Sequence, residues 1–285
     1  MPKTYNEIYI NARKKLKEFG VSAYSLEARL ITANAAGKTK EQFLRDMHLY
    51  SSDQVEEKAM EMLKRRLEGE PVAYIVGDWE FYGLPMTVTK DVLIPRTDTE
   101  ILVESAIKAL KGRKMDARVL DLCTGSGCIG CAIAKELPAA HVVLVDNSTA
   151  ALAVAKQNLM RNRLNPRVSC IEADALSAPP MMLGSFDVMV CNPPYIPTEQ
   201  LRELDGSVRN YEPMAALDGG QDGFVFYRAV LDRWLAVVRN GGMVFFEVGI
   251  GQAEELEKLM RLAGVKNVET IKDTQGIDRV VCGNA

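Results

Sequence analysis

Residues 119–130 read VLDLCTGSGCIG, and the reading of this stretch decides the fold. A short apolar run gives way to Gly125, Gly127 and Gly130, spaced G-x-G-x-x-G, and then to residues that suit a helix. Strand, glycine loop and helix in that order let a ligand press against bare backbone at a helix amino terminus. The pattern serves dinucleotides and other adenosine cofactors alike. The acids separate them. Asp121, at the end of the strand, would repel the pyrophosphate of NAD. It would attract the sulfonium and ammonium of S-adenosylmethionine, by several kcal/mol before desolvation at an effective dielectric of about 20. Asp146 follows the next strand, in VVLVDN, where an acid accepts from both ribose hydroxyls. Asp174, in IEADAL, is expected to meet the adenine edge. One acid at a strand end reads as a helix or turn cap; three after three successive strands read as a cofactor site.

Outward from the loop, ARVLDL, HVVLV, VSCI and FDVMVC are short continuous apolar runs, as in strands buried on both faces. Helical patterns at 129–137, 150–161 and 224–238 lie between or after them. MVFFEVG, a helix from Gln252 to Leu262, NVETI and RVVCG follow. Such alternation predicts a mostly parallel, doubly wound α/β sheet.

The first ~70 residues look helical by spacing. Thr4 with Glu7 forms a capping box ahead of Ile8, Ala12, Leu16 and Phe19, and Gly20 can end that helix. Leu26, Leu30 and Ala33 make a second stripe, closed by Gly37. Thr39 with Gln42 opens a third helix carrying Phe43 and Met47. Ser51 with Gln54 opens a fourth carrying Val55, Ala59, Met62 and Leu63. Residues 1–80 hold 13 Lys/Arg and 13 Asp/Glu, and the 285-residue chain has net charge -3. That balance argues against a surface built to grip nucleic-acid phosphates, so this bundle is expected to meet a protein. From Gly69 the aromatic and β-branched texture, broken by Gly and Pro, suggests a hairpin-like connector. Thr97 with Glu100 then caps a helix ended by Gly112. We see no signal peptide and no membrane span, and the six cysteines read as reduced thiols. Cys123, Cys128 and Cys131 have the spacing of a plant-type iron–sulfur site, but they straddle the glycine loop, where buried thiols packing helix on sheet are the expected reading. No metal is expected.

CNPPYIP, residues 191–197, follows the fourth strand on the carboxyl edge of the sheet, where doubly wound folds bind ligands. It therefore faces the expected cofactor. A planar –NH2 is a poor nucleophile, because its lone pair is delocalised. Two acceptors aimed at its hydrogens would hold it in line with a methyl donor. The Asn192 side-chain carbonyl and the Pro193 backbone carbonyl suit that task, with Pro194 stiffening the loop and Tyr195 stacking on the flat group.

NPPY with DLCTGSG resembles class I methyltransferases that modify planar nitrogen. Within these, GEPVAYIVGDWEFYGL, VLIPRTDTE and YEPMAALDGGQDGFVFYR closely resemble the PrmC/HemK family. The resemblance implies a Rossmann-like, mostly parallel seven-stranded sheet with a small all-α amino-terminal domain. It implies a docking domain at 1–70, a connector at 71–95 and a methyltransferase domain at 96–285. It implies that Cys123, Thr124, Gly125, Ser126, Gly127, Asp146 and Asn192, joined by Asp121 and Asp174, hold S-adenosylmethionine. Asn192, Pro193, Pro194 and Tyr195 would hold the glutamine of the GGQ motif of class 1 peptide chain release factors, leaving S-adenosylhomocysteine. Two departures stand out: Cys123 where many members have glycine, and Thr97 where IPRPDTE has proline. The expected protein is a cytoplasmic monomer without direct nucleic-acid or membrane contact. Its rivals are a methyltransferase for a ribosomal-protein glutamine, one for a base amine of RNA or DNA, and a nonenzymatic adaptor retaining a cofactor pocket.

Overall fold

The computed structural model describes residues 2–111 and 116–285, so the expected stop at Gly112 lies outside the described residues. The chain divides into two compact units: Met1–Asp78 with Asp205–Tyr211, and Trp79–Leu204 with Glu212–Ala285.

The first unit is helical: α1 (Tyr5–Glu18), α2 (Tyr24–Ala35), α3 (Lys40–Asp46), α4 (Asp53–Leu67), α5 (Val72–Val76) and the short α9 (Gly206–Arg209). Of the four predicted Ser/Thr–Glu/Gln pairs, Thr4 with Glu7 and Thr39 with Gln42 form capping boxes. Each satisfies two amide donors that the first helical turn leaves open. Ile8, Ala12 and Leu16 are buried, but Phe19 is 59% exposed because α1 has already ended there. The second stripe is displaced in part. Ala33 is buried as expected and Leu30 is half-buried, but Leu26 faces outward, while Ala28, Ile31, Thr32 and Ala35 face inward because the small alanines admit neighbouring helices closely and Glu27 is drawn in to pair with Arg66 of α4. Helix α4 begins one residue later than expected, with Ser52 as its amino-terminal cap; the Ser51 hydroxyl instead donates to the Lys3 carbonyl at 3.0 Å.

The second unit carries a two-stranded piece, β1 (Asp78–Phe81) with β2 (Leu84–Thr87), and a seven-stranded sheet. The sheet's strands are β3 (Arg118–Leu122), β4 (His141–Asp146), β5 (Val168–Glu172), β6 (Phe186–Cys191), β7 (Val238–Glu247), β8 (Lys266–Lys272) and β9 (Asp278–Asn284). Their order is β5-β4-β3-β6-β7-β9-β8, parallel through β7, with β9 antiparallel to both its neighbours. Helices α6 (Glu100–Leu110), α7 (Cys128–Glu136), α8 (Thr149–Arg161), α10 (Val225–Arg233) and α11 (Ala253–Leu262) accompany them. Central β3 is buried from Val119 to Leu122, each Val or Leu contributing about 1.5–3 kcal/mol by leaving water. VSCI does not follow the double-sided burial expected of it. In β5 only Val168 is buried, because the strand lies at the sheet's edge. Thr97 opens a short 3-10 turn instead of capping α6, and Glu100 accepts from the Tyr82 amide at 2.9 Å.

Chain order reverses beside β3: β4 and β5 lie on one side, β6 and β7 on the other. Leu122 pairs with Cys191, so the glycine loop and CNPPYIP leave the sheet side by side at the switch point where such folds take ligands.

Candidate active site

The glycine loop is built around Asp121. This carboxylate is fully buried; its Oδ2 accepts from the Thr124 hydroxyl at 2.6 Å and the Gly130 amide at 2.9 Å. Its Oδ1 is buried and has no partner. Burial pushes its pKa up to about 7, against the pull of Thr124 and Gly130. An orphaned buried oxygen at a ligand edge suits a cationic or hydrogen-donating group. Gly125 has φ +54 with open space where a side chain would stand, so the loop offers bare backbone there. Gly130 serves packing instead: a Cβ would come 2.2 Å from Leu144 Cδ2, so the glycine lets α7 close on the sheet. Cys123 has φ +60, the left-handed region that glycine enters freely. Ser126 is buried, and its carbonyl accepts from Asn158 Nδ2 of α8 at 2.9 Å, a support that local spacing did not suggest.

Asp146 stands at the end of β4. Its Oδ2 accepts from the Gly125 amide at 2.8 Å and its Oδ1 from the Ser148 amide at 3.0 Å. Burial raises its pKa above the usual carboxylate range. Each oxygen retains a lone pair for a ligand hydroxyl. Asp174 is half-buried, and its oxygens accept from the Leu176 amide at 2.9 Å and the Ser177 hydroxyl at 3.2 Å. It caps its own turn, and an adenine contact would share those oxygens.

Pro193 and Pro194 are buried, while Asn192 and Tyr195 are half-buried. Asn192 Nδ2 donates to the Thr99 hydroxyl at 3.4 Å, and its Oδ1 accepts from no described residue. Two other segments clamp the loop from outside. The Ile196 amide donates to the Leu217 carbonyl at 3.0 Å, and the Gly219 amide donates to the Ile196 carbonyl at 2.8 Å. Gln252 Nε2 donates to the Tyr195 carbonyl at 2.9 Å. Gly219 and Gly223 lie so close that a Cβ would come 2.7 Å from Tyr195 Cα and 2.4 Å from the Tyr195 carbonyl oxygen, respectively. Below them Glu212, buried, accepts from the Ile94 amide at 3.3 Å and pairs with Arg96, tying YEPM to IPRTDTE.

Glu247, at the end of β7, is the site residue that sequence reasoning passed over. It is 4% exposed; Oε1 accepts a long hydrogen bond from the Tyr195 hydroxyl at 3.5 Å, and Oε2 has no partner. Burial raises its pKa to about 7, while the Thr99 hydroxyl, Arg279 and Asn192 favour its charged form. Burial also raises the Tyr195 phenol, with Glu247 adding to the shift. A lone acid inside the apolar run MVFFEVG was the available signal. Among the described residues no cluster of His, Cys, Asp and Glu could hold a metal, and no helix is long and apolar enough to cross a membrane. Cys128 and Cys131 pack in the core between α7 and the sheet.

Two family profiles match the chain: the PrmC N-terminal domain over residues 7–77 and the Methyltransferase small domain over 97–204. A release factor glutamine methyltransferase of Caulobacter vibrioides is 38% identical over 283 residues, covering 99% of this chain and 97% of that one. One from Geobacter sulfurreducens is 45% identical over 222 residues, covering 78% and 76%. Among solved structures, the hMettl16 catalytic domain, in complex with MAT2A 3'UTR hairpin 6, superposes with a TM-score of 0.56 at 16% identity, covering 78% of this chain and 81% of that one. At that identity it speaks for the fold alone.

Proposed function

The chain belongs to the release factor glutamine methyltransferase family, and from that premise we propose that it methylates the side-chain amide nitrogen of the GGQ glutamine in class 1 peptide chain release factors. The geometric observation that carries the reading is Asn192. Its amino group is tied back to Thr99 while its carbonyl accepts from no described residue, which leaves an acceptor free for a substrate N–H. Methylation of a ribosomal-protein glutamine or of a base amine would use the same acceptor. The near-full-length likeness to release factor enzymes supports the release factor over these rivals.

S-adenosylmethionine, when bound, supplies an electrophilic methyl on a sulfonium sulfur and departs as S-adenosylhomocysteine. The residues present fit it. The unpartnered Oδ1 of Asp121 would suit cationic or donor groups, Gly125 gives close approach to bare backbone, and Asp146 has lone pairs for ribose hydroxyls. Asn192 follows Cys191, the register partner of Leu122, and so leaves the sheet beside the glycine loop. Asp174 reaches the adenine only by sharing its turn bonds.

In this reading Asn192 Oδ1 and the Pro193 carbonyl each accept one hydrogen of the glutamine –NH2. That orients the nitrogen lone pair toward the methyl and favours its pyramidal form. Tyr195 packs on the flat carboxamide. Positioning of this kind supplies up to about 7–11 kcal/mol in well-oriented systems. The nitrogen so held would be placed to take the methyl that S-adenosylmethionine supplies. The acidic N-methyl amide cation then loses a proton to water, so no buried base is required before transfer. We further propose that residues 1–70 dock the release factor and 71–95 connect to a methyltransferase domain at 96–285, and that the enzyme acts as a monomer in the cytoplasm, where its six free thiols stay reduced.

Incubating the enzyme with labelled donor and a release factor, followed by peptide mass spectrometry, tests the reading. One added methyl on the GGQ glutamine is expected; an enzyme that binds donor yet leaves that glutamine unmodified refutes it. Asn192→Ala should abolish turnover while weakening donor binding less, whereas an adaptor would have no turnover to lose.

A further inference from the structure

An asparagine carboxamide has two ends of nearly equal shape, one accepting and one donating. Methyl transfer as read above needs the accepting end to face the substrate. Thr99 does not enforce that alone, because a hydroxyl can either accept from Nδ2 or donate to Oδ1. Something must fix the hydroxyl's proton.

Beside Thr99 lies Glu247, whose buried Oε2 is one of the two orphaned side-chain oxygens among the described residues. The Thr99 hydroxyl accepts from Asn192 Nδ2 at 3.4 Å, and its own proton still needs an acceptor. Strand register brings these groups together: Cys191 pairs with Phe246, so Asn192 and Glu247 leave adjacent strands at the same level. We propose that Glu247 is a positioning residue for methyl transfer: its carboxylate accepts the Thr99 hydroxyl proton, Thr99 thereby accepts from Asn192 Nδ2, and the Asn192 carbonyl is held toward the acceptor amide. This rests on the reading of Asn192 as the acceptor-amide ligand. A flipped Asn192 would draw the hydroxyl proton to its own Oδ1 and strip Glu247 of a charge-assisted bond, so the carboxylate selects one orientation.

Protonation of Glu247 removes that selection, because a carboxylic acid can donate to Thr99 and compete with Nδ2. The groups facing it are Asp98 and Arg279, which pair at 2.7 Å, then Tyr195, Cys128, and Tyr227, which donates to the Glu247 backbone carbonyl at 2.8 Å. Asp273 holds Arg279 from its other side at 3.0 Å. Burial and Asp98 oppose the charged form, while Thr99, Arg279 and Asn192 favour it. The charged form is the productive one, so kcat rises with pH through neutrality.

The test compares Thr99→Val, Thr99→Ser and Glu247→Gln in steady-state methylation of a release factor, with melting curves for each. Thr99→Val should lose about 10- to 100-fold in kcat, with KM for the methyl donor within about twofold. Thr99→Ser should restore kcat to within about threefold of the parent. Glu247→Gln should lose the acid limb of the kcat–pH profile. A Thr99→Val enzyme with parental kcat, or a Glu247→Gln enzyme that keeps the acid limb, overturns the proposal. If Glu247→Gln fails to fold, the Thr99 pair decides. Asn192→Ala separates the two levels. Full turnover in that variant would bring down the site reading beneath this one; lost turnover with a parental Thr99→Val would bring down the relay alone.

Discussion

Replacing Gly219 with alanine probes whether the NPPY loop works by position. The new Cβ would lie 2.7 Å from Tyr195 Cα, 2.8 Å from the Tyr195 carbonyl carbon and 2.9 Å from the Pro194 oxygen. Ordinary contact begins at 3.4 Å, so 3.4 − 2.7 leaves 0.7 Å to be found. All three neighbours are main chain, and no side-chain rotation relieves them. The loop is also held by Gln252 at the Tyr195 carbonyl and by the Leu217 carbonyl at the Ile196 amide. The strain must therefore move Pro194 and Tyr195, and Asn192 with them. Overpacking of this kind costs about 1–3 kcal/mol. A domain of this size loses about 2–4 °C of Tm per kcal/mol. A misplacement near 1 Å costs up to about 100-fold in rate. We expect Gly219→Ala to fold, to melt several degrees lower and to lose about 10- to 100-fold in kcat, with the donor Kd within about twofold. The assay is steady-state methylation of a release factor beside calorimetric titration of the donor. Parental kcat and Tm would refute the reasoning, and so would a loss confined to donor affinity.

Three further predictions concern charge and backbone. Asp121 has a folded pKa of about 7 against about 3.9 unfolded, so its contribution to stability is fully present below pH 4 and is lost as pH rises to 7. Asp121→Asn should flatten that part of the stability–pH curve measured by urea unfolding, and should abolish the tightening of donor binding expected between pH 6 and 8. Arg96→Ala leaves the buried Glu212 carboxylate without its counter-charge; with Arg96 itself 40% exposed, the loss should fall short of the roughly 3–5 kcal/mol of a fully buried pair, and Glu212→Gln in the same chain should partly restore it in thermal melts. Cys123→Gly removes a left-handed strain of about 1–2 kcal/mol and returns about 0.4–1 kcal/mol as unfolded-state entropy, so Tm should rise slightly; a lower Tm would show that the thiol's packing outweighs the strain.

The sheet and its glycine loop were legible because their signals are local. Apolar runs, glycine spacing and an acid after each strand lie within a few residues of one another. The first helix and the capping boxes of α1 and α3 were legible for the same reason. The face of α2 was not, since Ala28 and Ala35 are too small to mark a stripe and Glu27 is buried only because Arg66 comes to meet it. The loop CNPPYIP announced itself, but its supports did not. Thr99, Gly219, Glu247 and Gln252 reach it through strand order and register, and Arg96 meets Glu212 across more than a hundred residues of chain. An isolated charge within a buried strand is the one clue of that kind a sequence offers, and Glu247 carried it.

The antiparallel β9 has a consequence for how this molecule comes into being. During synthesis β8 emerges before β9, yet its one partner in the sheet is β9, which itself leans on β7. Until residues 278–284 arrive, β8 has no edge to join. Arg279, on that same late strand, is also absent, so the acid at the end of β7 lacks its nearest cation. Activity is therefore expected only once residues 278–284 have paired with β7 and β8, and a substitution that weakens that pairing should delay the onset of activity more than it lowers the final yield.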